Sequence, residues 1–158
     1  MLLVCPTAHT VGYCGQGDFH LAPEGRLVRR APDAIMSINL SGTSVKNDHR
    51  LPLVERLVGE YDLRPDNLCF EIGERAAMAD LNGTAELVDF LAGQGYHVAL
   101  DEFGSGPASF SCLKRLTVDY IKLYGELVRE LRGDEPDIAI IESINKLARR
   151  LNMTAIAV

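Results

Sequence analysis

From Ala34 onward, short apolar runs alternate with amphipathic stretches. The runs Ile35–Leu40, Leu68–Ile72, His97–Asp101, Tyr120–Leu123 and Thr154–Val158 read as strands. Val98-Ala-Leu100 is apolar without a break, the pattern of a strand covered on both faces. Helical spacing fills the gaps between them. Leu53, Val54, Leu57, Val58 and Tyr61 form one stripe, with Pro52 suited to a first turn. Leu87, Val88, Leu91 and Ala92 form a second, with Thr84 as N-cap and Gly93 or Gly95 as stop. The longest helix is expected over 136–151, with Ile138, Ile141, Ile144, Leu147, Ala148 and Leu151 on its apolar stripe. Asp134, Glu135 and Asp137 at its start and Lys146, Arg149 and Arg150 at its end complement the helix dipole. Strands alternating with helices predict βαβ units and a mainly parallel sheet.

Residues 1–34 break this pattern. They are rich in glycine and proline, carry no helical period, and read as an irregular N-terminal segment before a domain over 35–158. A hairpin around Pro23-Glu24-Gly25 is the one local element they suggest. Cys5, His9, Cys14 and His20 cluster there, but their spacing matches no zinc pattern, and chance clustering is the simpler reading. The leading Met1-Leu-Leu-Val-Cys-Pro6 is too short and lacks the basic start of a signal peptide.

Composition narrows the function classes. The chain has 158 residues, 47% apolar and 24% charged, which suits one globular domain. A net charge of −6 argues against a nucleic-acid backbone partner, DNA or RNA. No apolar run approaches the roughly 20 residues of a membrane span. The four cysteines show no CxxC pair, so reduced thiols in a cytoplasm are expected. Neither GxGxxG nor GxxxxGK[ST] occurs, so a dinucleotide fold and a P-loop are not indicated.

Polar residues interrupt the strands near one end. Asn39, Glu71, the Asp101-Glu102 pair and Lys122 fall at or just after the carboxyl-terminal parts of four strands. In parallel α/β folds those ends converge on the ligand face. Singly, each has a bland reading: Asn39 as a loop hydrogen-bonder, Lys122 as an edge ion pair, Asp101-Glu102 as a turn cap. Together, carboxylates, an amide and a lysine at one end suit a hard divalent cation such as Mg²⁺ or Mn²⁺.

At Asp101-Glu-Phe-Gly-Ser-Gly106 the chain resembles the EAL family of cyclic di-GMP phosphodiesterases, which reads DDFGTG there. Asn39-Leu-Ser41 resembles the family's NLS, and Phe70-Glu-Ile-Gly-Glu74 its E-x-T-E segment. Cys112-Leu-Lys-Arg-Leu-Thr-Val-Asp-Tyr-Ile-Lys122 resembles YLKRLPVDELK, and Met153-Thr-Ala-Ile-Ala-Val158 resembles the strand leading into AEGVE. The resemblance implies a modified (β/α)₈ barrel and metal-dependent hydrolysis of cyclic di-GMP to pGpG. It implies Asn39, Glu71, Asp101 and Glu102 as metal ligands. Lys122 would hold the attacking water and Glu74 would organise the loop after Asp101.

The chain also departs from the family. No Glu-Ala-Leu tripeptide occurs, Glu102 replaces an aspartate, Tyr124 replaces the aspartate of Lys-Ile-Asp, and Val158 stands where a glutamate is expected. Five strands fall short of the eight of a barrel, which usually takes about 250 residues. The expectation is an incomplete (β/α)₈ TIM-barrel-like EAL fold, truncated and degenerate, acting as a nucleotide-binding or regulatory module with little or no turnover. An active phosphodiesterase whose missing ligands come from the N-terminal segment or a second subunit, and an interaction remnant without ligand, are the alternatives. The apolar run Thr154–Val158 reads as an open edge strand, which predicts a homodimer joined near residues 138–158.

Overall fold

The computed structural model describes residues 3–4, 10–11, 35–40, 58–59, 64–105, 109–125 and 135–157. The expected strands are present as β3 (Met36–Leu40), β4 (Leu68–Gly73), β5 (His97–Phe103), β6 (Tyr120–Leu123) and β7 (Thr154–Ala157). The N-terminal segment adds two short strands, β1 (Leu3–Val4) and β2 (Thr10–Val11). All pair in parallel, in the order β1-β7-β6-β5-β4-β3-β2. The strand Thr154–Ala157 is therefore not an open edge: β6 lies on one side and β1 on the other. The sequence pattern could not show this, because a two-residue strand has no readable period.

Those short strands also fix the sheet's curvature. β1 and β2 lie at opposite edges, six strand spacings apart, or about 29 Å if the sheet were flat. Only six Cα steps separate Val4 from Thr10, a reach of about 22 Å at most. The sheet must curl, as the sheet of a barrel does.

Helices cover the outer face. They are α1 (Glu74–Ala79), α2 (Leu81–Gly93), α3 (Ser109–Arg115) and α4 (Glu135–Arg150). Strict alternation assigns the faces. Ile38, Phe70, Ile72, Val98, Leu100, Ile121, Leu123 and Ala155 share one face through the register and pack against Ala77, Val88, Leu91, Cys112, Leu113, Ile144 and Ala148. This helix-side layer is the core. At the base of the sheet, Asp119 ties three strands together. Its Oδ2 accepts from Val98 N at 2.8 Å, its amide donates to Val98 O at 2.9 Å, and its carbonyl accepts from Thr154 N at 2.8 Å.

Local expectations differ in detail. The N-cap of α2 is Asp80, whose side chain accepts from Gly83 N at 3.1 Å. Thr84 lies inside the helix, fully buried, and its hydroxyl donates to Asp80 O. The helix begins earlier because the aspartate reaches the orphan amide first. Helices α1 and α3 are too short to show a convincing period. Among the described side chains of α4, Ile144 and Ala148 are buried; Ile138, and Leu151 just after the helix, are exposed. That helix packs beside β7, and its buried residues lie in its later turns. The expected stripe at 53–61 lies outside the described residues apart from the helical pair Val58 and Gly59, as do the hairpin near Pro23 and the Cys/His cluster.

Cys69 and Cys112 are free and buried. Burial, assisted by the nearby Glu71 and Asp119 carboxylates, pushes the Cys69 thiol up to about 12. Burial with Glu74 nearby pushes Cys112 up to about 11. Both are protonated at neutral pH and behave as packing groups.

Leu100 is fully buried in β5, between β4 and β6. Leu100→Ala is expected to cost about 2–5 kcal/mol in urea unfolding, through lost contacts and a cavity. Ile138→Ala, at a side chain 52% exposed, should change stability by no more than about 0.5 kcal/mol.

Candidate functional site

The face of the sheet opposite the helices is where the polar residues gather. Register places Asn39 beside Glu71, and Gly73 beside Asp101. Alternation then sets Ser37, Asn39, Glu71, Asp101 and Lys122 on this inner face, with Asn39, Glu71, Asp101 and Lys122 toward the carboxyl ends of β3, β4, β5 and β6. Period-two alternation in four parallel strands thus converts four separated polar residues into one cluster.

Lys122 is its centre. Its Nζ donates to Glu71 Oε2 at 2.7 Å and stands 3.7 Å from Asp101 Oδ2. Glu71 is 2% exposed and Lys122 8%, so the pair is shielded from solvent. Burial pulls the lysine pKa down, but the hydrogen bond to Glu71 and the Glu71 and Asp101 charges more than offset this, leaving it above its ordinary value. The ammonium is charged at neutral pH.

Asp101 divides its two oxygens. Oδ2 faces Lys122, while Oδ1 accepts from the Glu102 amide at 2.8 Å. Directly after it the strand bulges. Leu100 pairs with Ile121 and Phe103 with Leu123, so β5 carries one more residue than β6 across this interval. Glu102 is the displaced residue, with φ of 55°, in the left-handed region. The bulge returns Phe103 to the helix-side core, where it is buried and meets Phe110 edge-on at 6.3 Å. It leaves the Glu102 side chain exposed.

Glu74 holds the loop that follows. It is buried at the start of α1, and its Oε2 accepts from Gly104 N at 3.1 Å and Ser105 Oγ at 3.4 Å. Its buried Oε1 has no partner among the described residues. Ser105 N donates to Glu102 O at 3.1 Å, closing a turn with Gly104 at φ 94°. A positive φ there suits glycine and almost nothing else. Ser105 and the bulge were not legible as functional features; the Gly-Ser-Gly run by itself signalled only a turn, and the resemblance alone pointed to Glu74, thirty residues upstream, as its partner.

The structure therefore brings Glu71, Asp101 and Lys122 into contact, sets Asn39 next to Glu71 in register, and joins Glu74 to the loop. Glu102 stands apart, at the bulge. Among the described residues no group of three or more His, Cys, Asp or Glu side chains is arranged to hold a metal ion. Two carboxylates and an amide remain as hard oxygen donors on one face. Donors of that chemistry suit a hard divalent cation.

A parallel sheet curled toward a barrel, with an ion cluster at its strand carboxyl ends, defines a TIM-barrel-like domain. Residues 21–158 match the EAL domain family. The cyclic di-GMP phosphodiesterase PdeB of Shewanella oneidensis is 34% identical over 125 residues, covering 79% of this chain and 15% of that protein. The crystal structure of the EAL domain of Mycobacterium smegmatis DcpA superposes with a TM-score of 0.76 at 28% identity, covering 85% of this chain and 60% of that one. The FimX EAL domain of Pseudomonas aeruginosa bound to c-di-GMP gives 0.75 at 25% identity, covering 85% and 55%. This chain belongs to the EAL domain family. It spans less than a quarter of the length of PdeB, and the matched region begins within the first 34 residues. No helix among the described residues is long and apolar enough to cross a membrane.

Removing Glu74 should release the loop while leaving the strands paired. In Glu74→Ala the Gly104 amide is expected to exchange with deuterium at least about tenfold faster, since a hydrogen bond to a carboxylate contributes about 1.5–3 kcal/mol. Glu74→Gln keeps an acceptor and should fall between the two. Unchanged Gly104 protection in Glu74→Ala would assign the loop's order to other contacts.

Proposed function

We propose that this chain is the part of an EAL domain that receives cyclic di-GMP at the carboxyl ends of β3 to β6, and that it binds the dinucleotide more effectively than it hydrolyses it. The observation that carries this reading is the shielded Lys122–Glu71–Asp101 cluster at the strand ends of a parallel, curled sheet. Supporting it, relatives matched along most of this chain include a cyclic di-GMP phosphodiesterase and an EAL domain bound to c-di-GMP.

In this reading Asn39, Glu71 and Asp101 would hold one Mg²⁺ or Mn²⁺, which when bound polarises a phosphoryl oxygen and acidifies water. The chain's own groups do the rest. Lys122 offers the remaining ammonium protons to a water or a phosphate oxygen beside Glu71. Glu74, through Gly104 and Ser105, keeps Asp101 aimed at the inner face. Weak turnover follows from Glu102, which the bulge leaves exposed, and from Tyr124 in place of an acid. Few carboxylates around the ion would mean a loosely held ion and a poorly placed nucleophile. A cyclic dinucleotide ligand and unpaired buried thiols fit a cytoplasmic setting.

Titration of the purified chain with cyclic di-GMP, with and without Mn²⁺, tests this. Binding that weakens at least about tenfold in Lys122→Ala, with little pGpG released, is expected, because a charge-assisted phosphate contact is lost. Steady, EDTA-sensitive pGpG production abolished in Glu71→Ala would establish the active phosphodiesterase instead. No binding under either condition would leave an interaction remnant.

Self-association is also proposed, on a different footing from an open strand edge. Ile140 and Leu151, eleven positions apart on and just after α4, are exposed, and a second copy would cover them. Sedimentation should give a dimer that Ile140→Lys weakens; a monomer at every concentration would discard the pairing.

A further inference from the structure

We propose that Lys122 sets the divalent-cation affinity of this site, acting as a built-in counter-cation against which a metal ion must compete. The inference rests on the reading of Asn39, Glu71 and Asp101 as the cation-holding donors. One ammonium serves both carboxylates: Nζ is 2.7 Å from Glu71 Oε2 and 3.7 Å from Asp101 Oδ2. An ion drawn to those same oxygens must displace the ammonium or sit close to it. In either case it meets a like charge in a place where water screens little, since Glu71 and Lys122 are both buried.

Formal charge makes the competition explicit. Glu71, Asp101 and Lys122 sum to −1, so a divalent ion would leave the cluster at +1. Without the lysine the two carboxylates sum to −2, and the same ion would neutralise them. No third acid restores the balance among the described residues, because the bulge leaves Glu102 exposed. The lysine thus stabilises the ion-free fold, whose buried Glu71 carboxylate needs a partner. The same contact weakens the metal site. Removing it should exchange one cation for another and make folding depend on the metal.

The test compares the wild-type chain with Lys122→Gln, Lys122→Arg and the double variant Lys122→Gln/Glu71→Gln. Free Mn²⁺ is read by electron paramagnetic resonance, and unfolding by circular dichroism. Lys122→Gln is expected to bind Mn²⁺ about tenfold or more tighter than wild type. It should unfold at lower temperature without the ion, and gain more from added Mn²⁺ than wild type does. Lys122→Arg keeps the cation and should keep the weak affinity, and the double variant should lose the tightening. Should Lys122→Gln be unfolded without metal, recovery of its circular dichroism on adding Mn²⁺ supports the proposal, and failure to recover overturns it. Equal or weaker Mn²⁺ binding in a folded Lys122→Gln also overturns it, as does tightening that persists in the double variant. Cyclic di-GMP binding, followed in the same samples, reports separately on the underlying reading. Tighter Mn²⁺ in Lys122→Gln, with no dinucleotide bound by the wild-type chain, would refute that reading and leave the role of Lys122 standing.

Discussion

The structure depends on how three charges are housed on the inner face of a parallel sheet. Glu71, Asp101 and Lys122 come from three consecutive neighbours, β4, β5 and β6, and two of them are almost wholly buried. A buried carboxylate without a partner is costly, and so is a buried ammonium. They are tolerated because the strands present them to one another. The cluster therefore constrains register: a slip of one residue would turn Glu71 and Lys122 into the apolar layer beneath the helices. The alignment of the three strands rests on these contacts, and in the proposed reading so does affinity for a cation or a phosphate.

The second constraint is the end of β5. Asp101 must face inward while Phe103 must reach the core, yet in a regular strand residues 101 and 103 share a face. One extra residue resolves the conflict. Glu102 takes the positive φ, the strand bends, and the following turn places Gly104 and Ser105 against Glu74. Backbone strain is thus located at the site, next to the carboxylate whose aim it determines. Phe103 and its edge contact with Phe110 tie that bend to α3.

Much of the fold was readable. The continuous run through Val98-Ala-Leu100 and the alternation around it marked strands covered on both sides, and helical spacing marked α2 and α4. The polar interruptions Asn39, Glu71, Asp101 and Lys122 were readable as a group, because parallel strands bring like ends together. Other features were not. The strands Leu3–Val4 and Thr10–Val11 are too short to carry a period, so nothing local revealed that they flank β7 and β3. Asp80 rather than Thr84 caps α2, since either residue type suits a cap and only the backbone path selects between them.

What the sequence determined by itself was the set of elements and the identity of the chemical groups: alternating strands and helices, an amide, a carboxylate or a lysine near the ends of four strands, a glycine-rich turn after Asp101. Tertiary structure decided which of those groups act together. Register and alternation brought Lys122 onto Glu71 across fifty-one positions of chain, and the bulge separated Glu102 from the neighbour with which it looked paired. The reason is geometric. A side chain's type is local, but the face it occupies depends on the parity of every residue between it and its partner strand, and a single bulge reverses that parity.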